Sequence, residues 1–102
     1  MLARNHLSKF QRRVLYATRR IPRGRVTTYK KLAMKVGVKN GMRAVGQVLA
    51  KNPFPLVFPC HRVVKSDRSL GGFGGGIILK RYLLESEGIK FSATGRVLNR
   101  IW

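Results

Sequence analysis

Residues 27–52 read TTYKKLAMKVGVKNGMRAVGQVLAKN. Thr27 or Thr28 stands where a helix needs an N-cap, a hydroxyl that accepts from an amide of the first turn. Tyr29, Leu32, Ala33 and Val36 then recur at helical spacing. Gly37 is placed to close that helix in a left-handed conformation. Val38-Lys39 makes a short turn, and Asn40 reads as the N-cap of a second helix. That helix carries Met42, Val45, Val48 and Leu49 inward and ends before Asn52-Pro53. Its other face offers Asn40, Arg43, Gln47 and Lys51. Two short helices joined by a short glycine-containing turn predict a helix-turn-helix.

Working outward, Ser8 and Gln11 form a capping box for an earlier helix. Phe10, Val14, Ala17 and Ile21 share one face of it, and Pro22 and Gly24 stop it. Beyond Pro53 and Pro55, Leu56-Val57-Phe58 is too short for a helix and reads as an extended segment leading to Pro59-Cys60. VVKSDRSLGGFGGG, residues 63–76, reads as a loop. A last helix runs from about Ile77 to Glu87, with Leu79, Tyr82 and Leu83 inward and Gly88 as its stop. The tail from Ile89 predicts a small hairpin at Thr94-Gly95.

The 102 residues suit a single domain, 1–102. No run of about 18 apolar residues occurs, so no membrane span is expected. The N-terminus MLARNHLSKFQRRV has no hydrophobic signal core, and the single cysteine forms no internal disulfide. A cytoplasmic protein is the expectation.

Charge is the strongest global signal. Lys and Arg number 22 against 3 Asp and Glu, a formal net charge of +19. Self-repulsion opposes folding at that charge, and a polyanion relieves it. Nucleic acid is the expected partner, because Lys and Arg displace counterions condensed on phosphates. Within this frame Gly46 costs its helix about 1 kcal/mol against Ala. With Ala44 it makes that helix face thin, which suits either a close helix crossing or close approach to DNA. The glycine-rich GGFGGG, residues 71–76, lacks the ending of a phosphate-binding loop. It reads either as a plain flexible loop or as a backbone that approaches a flat ligand, with Phe73 stacking on a base.

The one cysteine lies in FPCHRVV, residues 58–64. With histidines only at 6 and 61, no zinc spacing exists, so no metal or other cofactor is expected. Two readings of Cys60 stay open on the residues alone: an inert buried thiol, or a nucleophile. A nucleophile must be thiolate, which nearby His61, Arg62 and Lys65 would favour. Neighbours in an extended chain point to opposite faces, so Cys60 and His61 meet only through a sharp turn or a relaying water. The three acids, Asp67, Glu85 and Glu87, all follow the Cys-His pair. A carboxylate on one nitrogen of His61 would fix its tautomer, while surface charge is the ordinary alternative for Glu85 and Glu87.

PCHRVV at 59–64 resembles the active-site signature of the O6-alkylguanine-DNA alkyltransferases. RAVGQVLAKNPFPLVFPCHRVV at 43–64, GGFGGG at 71–76 and LLESEG at 83–88 extend the likeness, which covers about Phe10 to Gly88. The resemblance implies a mainly α, winged helix-turn-helix DNA-binding domain with a short extended active-site segment. It implies transfer of an alkyl group from O6 of guanine in double-stranded DNA to Cys60, in a single turnover. His61 would act through a water as the base, Glu87 would orient it, Asn52 would brace the active-site turn, and Tyr29 would protonate the departing guanine. Arg43 would fill the gap left by the flipped base, and the helix with Ala44 and Gly46 would enter the minor groove. Gln47, Lys51 and Thr28 would complete the DNA contacts. Leu49, Val63, Phe73 and Gly74 would form the substrate pocket, with backbone carbonyls near Cys60 and Val63 accepting from the guanine amino group.

Three departures stand out. The family's usual N-terminal domain is expected to be absent. Phe73 replaces a common Tyr, and Gly74 replaces a common Ser. The related alkyltransferase-like proteins, which bind lesions and flag them for another pathway, supply the alternative reading. A helix-turn-helix transcription factor is the third. A monomer, nucleoid-associated or nuclear, is expected.

Overall fold

The computed structural model describes residues 7–55, 57–73 and 76–102. Helix α1 spans Lys9–Thr18 and opens with the capping box: Ser8 Oγ accepts from Gln11 N, and Gln11 Oε1 accepts from Ser8 N. Val14, Leu15 and Thr18 form its buried face, with Phe10 and Ala17 half-buried beside them. Ile21 is buried too, but the helix has already ended at Thr18.

Strand β1, Thr27–Thr28, leads into α2, Tyr29–Lys35. Thr28 caps α2 by accepting from Lys31 N at 3.1 Å, a bond worth about 1 kcal/mol. The helix closes as predicted. Gly37 has φ 82°, its amide bonds Met34 O, and Val38 N bonds Ala33 O, which together satisfy the last carbonyls. Asn40 is not the next N-cap. It takes φ 62°, and Gly41 caps α3, Met42–Ala50, without a side-chain bond. A Cβ on Gly41 would collide with the Val38 side chain, so the turn is too tight for any larger residue there. Helix α3 turns Val45, Val48 and Leu49 inward, whereas Met42 is exposed.

Val57 and Phe58 lie in turns rather than an extended run, because Phe58 N reaches back to Phe54 O; Leu56 falls outside the described residues. A 3-10 turn at Cys60–Arg62 then passes into β2, Val63–Val64, where the sequence reads loop. β2 pairs in parallel with β1, Thr27 against Val63 and Thr28 against Val64. Alternation along a strand sends successive side chains to opposite faces. Val63 therefore packs into a core built from α1, α2 and α3, and Val64 into a second core with Val26, Leu70, Leu84, Ile89 and Val97.

Helix α4 covers Ile77–Ser86, and Gly88 stops it at φ 92°. Its buried residues are Lys80 and Leu84; Leu79 and Tyr82 are exposed, so the inward face differs from the one the apolar residues predict. The tail forms the expected hairpin. Phe91 and Val97 make an antiparallel bridge, and Gly95 turns the chain at φ 79°. A mainly helical domain with a helix-turn-helix, a short strand pair and a flanking hairpin is the predicted winged architecture.

Candidate active site and nucleic-acid interface

Cys60 opens the 3-10 turn, and two bonds set its place. Its amide donates to Phe58 O at 2.6 Å, and Asn52 Nδ2 donates to the same carbonyl at 2.8 Å. Asn52 Oδ1 meanwhile accepts from Phe54 N at 2.8 Å. Both ends of the Asn52 amide are thus spent on the loop that delivers the thiol. Cys60 is 7% exposed, and that small exposure opens into a cavity of about 1020 Å³. Tyr29, Arg43, Gly46, Leu49 and Phe73 line it with Cys60, and Met42, Gln47, Gly71 and Gly72 extend it. A thiol walled in on all sides would have excluded chemistry; this one faces a space of ligand size.

The 3-10 turn also resolves how consecutive residues serve one site. Cys60 faces the cavity while His61, 3% exposed, points inward. His61 Nε2 stands 3.0 Å from Glu87 Oε2. Arg62 grips the same carboxylate with two donors, Nε to Oε1 and Nη2 to Oε2, both at 2.9 Å, and its Nη1 donates to Ile21 O. Burial pushes the Glu87 carboxyl up, but the bonds from Arg62 and His61 outweigh it and hold it below its ordinary value. Burial pushes His61 below its ordinary value, against the pull of Glu87, so the ring is neutral near pH 7. With Glu87 ionised, Nε2 carries the proton and donates, which leaves the lone pair on Nδ1. Nδ1 is buried and has no hydrogen-bond partner among the described residues. Burial and the neighbouring Cys60 raise the Tyr29 phenol above its usual range, so it holds its proton.

The three acids part company here. Glu87 enters the site, Glu85 makes an exposed pair with Arg81 at 3.4 Å, and Asp67 accepts from the Ser69 amide and hydroxyl.

The surface of α3 presents Arg43, Ala44, Gln47 and Lys51 to solvent. A Cβ placed on Gly46 meets nothing within 4 Å, so among the described residues no helix crosses there. Three expectations fare differently. Thr28 is buried with its hydroxyl engaged as a cap, so it offers no free side chain to DNA. Val63 is 0% exposed and does not line the cavity; its carbonyl is taken by Lys80 Nζ at 2.7 Å, and Cys60 O is taken by Val63 N. Gly74 lies outside the described residues. The roles of Arg62 and Lys80 went unread in the sequence. Arg62 adjoins the Cys-His pair, and Lys80 precedes Leu84 by one helical repeat, which is the signal that would have found it.

Comparison with known proteins agrees with this geometry. Residues 9–89 match the family model described as 6-O-methylguanine DNA methyltransferase, DNA binding domain. A curated relative from Methanothermobacter thermautotrophicus, named methylated-DNA--protein-cysteine methyltransferase, is 48% identical over 82 residues, covering 80% of this chain and 46% of its own length. The chain spans about half the length of the curated relatives it matches. Among solved structures, Mycobacterium tuberculosis OGT in complex with DNA superposes with a TM-score of 0.78 at 41% identity, covering 80% of this chain and 51% of that one. Schizosaccharomyces pombe Atl1, bound to damaged DNA containing O6-carboxymethylguanine, superposes at 0.80 with 28% identity, covering 95% of this chain and 97% of that one. The thiol turn, the part-buried His-Glu pair and the matched span together place the chain in the family of the 6-O-methylguanine DNA methyltransferase DNA-binding domain.

Proposed function

We propose that the chain repairs DNA directly, moving an alkyl group from O6 of guanine in double-stranded DNA to Cys60. Cys60 loses its proton through a water to His61 Nδ1, and the thiolate sulfur attacks the alkyl carbon. The S–C bond forms as the C–O6 bond breaks. The leaving guanine takes a proton from Tyr29, whose phenol stays protonated until a developing anion draws on it. The proton on His61 then restores Tyr29 through solvent. The thioether is not reversed, so each molecule acts once. Substrate must leave the base stack to reach a sulfur inside a cavity, and Arg43 on the adjoining α3 surface fills the gap. Ala44 and Gly46 let α3 enter the minor groove closely, and Gln47 and Lys51 hold the flanking backbone. Leu49 and Phe73 form the pocket walls. The protein acts on DNA in the cytoplasm or the nucleus, residues 1–102 working as one domain.

One observation carries this reading: the sulfur of the sole cysteine opens into the cavity shared by Tyr29 and Arg43, one residue from a buried base. The test is mass spectrometry after incubation with a duplex containing O6-methylguanine. One methyl group on the Cys60 peptide and restored guanine are expected, and Cys60→Ser should abolish both.

The full-length match to Atl1 supports a second reading, lesion binding without transfer. Tight binding to the same duplex by an unmodified protein would select it.

A further inference from the structure

Lys80 is fully buried at 0% exposure, on the inward face of α4. Its Nζ donates to three backbone carbonyls, Leu70 O at 2.6 Å, Val63 O at 2.7 Å and Gly72 O at 3.2 Å. A protonated lysine has three donors and no acceptor, so this is a full complement. A neutral amine would turn a lone pair toward one of those oxygens.

The three carbonyls have a spatial logic. Val63 begins the strand directly after the Cys60–Arg62 turn. Leu70 and Gly72 flank Gly71, which has φ 75°. A Cβ on Gly71 would stand 3.2 Å from Tyr29 Cε2 and from Tyr29 Oη, so this backbone lies directly on the phenol. Gly71, Gly72, Tyr29 and Cys60 all line the cavity. The ammonium also sits 5.8 Å from the centre of the Tyr29 ring, within reach of its electron-rich face. Facing it are Cys60 from the 3-10 turn, Tyr29 from α2 and, farther off, His61, and no carboxylate among the described residues pairs with it.

We propose that Lys80 is a positioning residue, whose ammonium pins the glycine-rich wall of the cavity between Tyr29 and the strand after Cys60 and holds a positive charge beside the thiol. Burial lowers its pKa to about 8, partly opposed by Cys60, which leaves it charged at neutral pH. The consequence for transfer rests on the repair reading; the clamp itself does not.

The test compares the intact protein with Lys80→Met, near in volume but unable to donate. Two readouts are independent of DNA. Amide hydrogen exchange over 70–73 should quicken at least tenfold while α1 stays unchanged. Alkylation of Cys60 by iodoacetamide at pH 7 should slow about tenfold. An alkylation rate and loop exchange identical to the parent's overturn the proposal. Should Lys80→Met fail to fold, nitrogen NMR of the parent protein decides: a slowly exchanging ammonium signal at pH 6 supports the clamp, and its absence overturns it. If both DNA-independent effects appear but the parent moves no methyl group from O6-methylguanine, the clamp stands and the repair reading falls.

Discussion

Glu87 Oε2 lies 3.0 Å from His61 Nε2, although 26 residues separate the two in the chain. The carboxylate fixes the imidazole tautomer and keeps Nδ1 as the basic nitrogen. Glu87→Gln retains shape but accepts less well and presents an amide to Arg62. Transfer to Cys60 in a single turnover should slow by about 10- to 100-fold. Affinity for lesion-bearing DNA should stay within about twofold, because Glu87 does not line the cavity and its carboxylate is engaged by His61 and Arg62. Equal losses in both would reduce the residue to a structural tie.

Stability should depend on acid through the same pair. His61 titrates below 6.5 in the fold, so between its folded and unfolded values the unfolded chain binds more protons, and stability rises with pH across that window. Glu87, held below 4.5, has the same sign in a lower window. The thermal midpoint should therefore be flat from about pH 6.5 to about 8, where Lys80 begins to titrate, fall as pH drops below about 6.5, and fall again below about 4.5. His61→Phe should remove the upper step and leave the lower one, as read by circular dichroism melts.

Asn52 is expected to matter more for rate than for folding. Its amide holds Phe58 O, the carbonyl that also receives the Cys60 amide. Asn52→Ala loses two hydrogen bonds at a part-buried site, about 1–3 kcal/mol of stability. The larger effect should be on methyl transfer, since an error of about 1 Å at a nucleophile costs on the order of 100-fold. Asn52→Asp keeps the bond from Phe54 N and loses the donor to Phe58, so its transfer rate should still be low.

Gly46 allows a prediction with opposed signs. Space around it is open, so Gly46→Ala should raise the stability of the free protein by up to about 1 kcal/mol. The same methyl group should weaken DNA binding if the α3 backbone presses on the groove. Calorimetric melting and a DNA titration would show both; unchanged affinity would move the DNA surface elsewhere.

Much of this was legible in the chain. The capping box at Ser8, the cap at Thr28, the left-handed Gly37 and the stop at Asn52-Pro53 all rest on local backbone chemistry, which the sequence states directly. The resemblance joins Cys60, His61, Glu87, Asn52 and Tyr29 as one expected site. The misses have separate causes. A lysine in IILKRYLL reads as solvent-facing, and only the three carbonyls converging from residues 63, 70 and 72 make the interior acceptable to it. That displaced charge shifted the inferred inward face of α4 onto Leu79 and Tyr82. Asn40 misled because a good capping residue is also one that tolerates positive φ.

The two-residue ladder between Thr27–Thr28 and Val63–Val64 joins the start of α2 to the strand that follows the thiol turn. Val45, Val48 and Leu49 of α3 share one core with Cys60 and Val63. Helix α3 and the sulfur are thus cast as a single block. If the repair reading holds, such a tool does not reach for its target: the distortion that brings an altered guanine into line has to be made in the double helix.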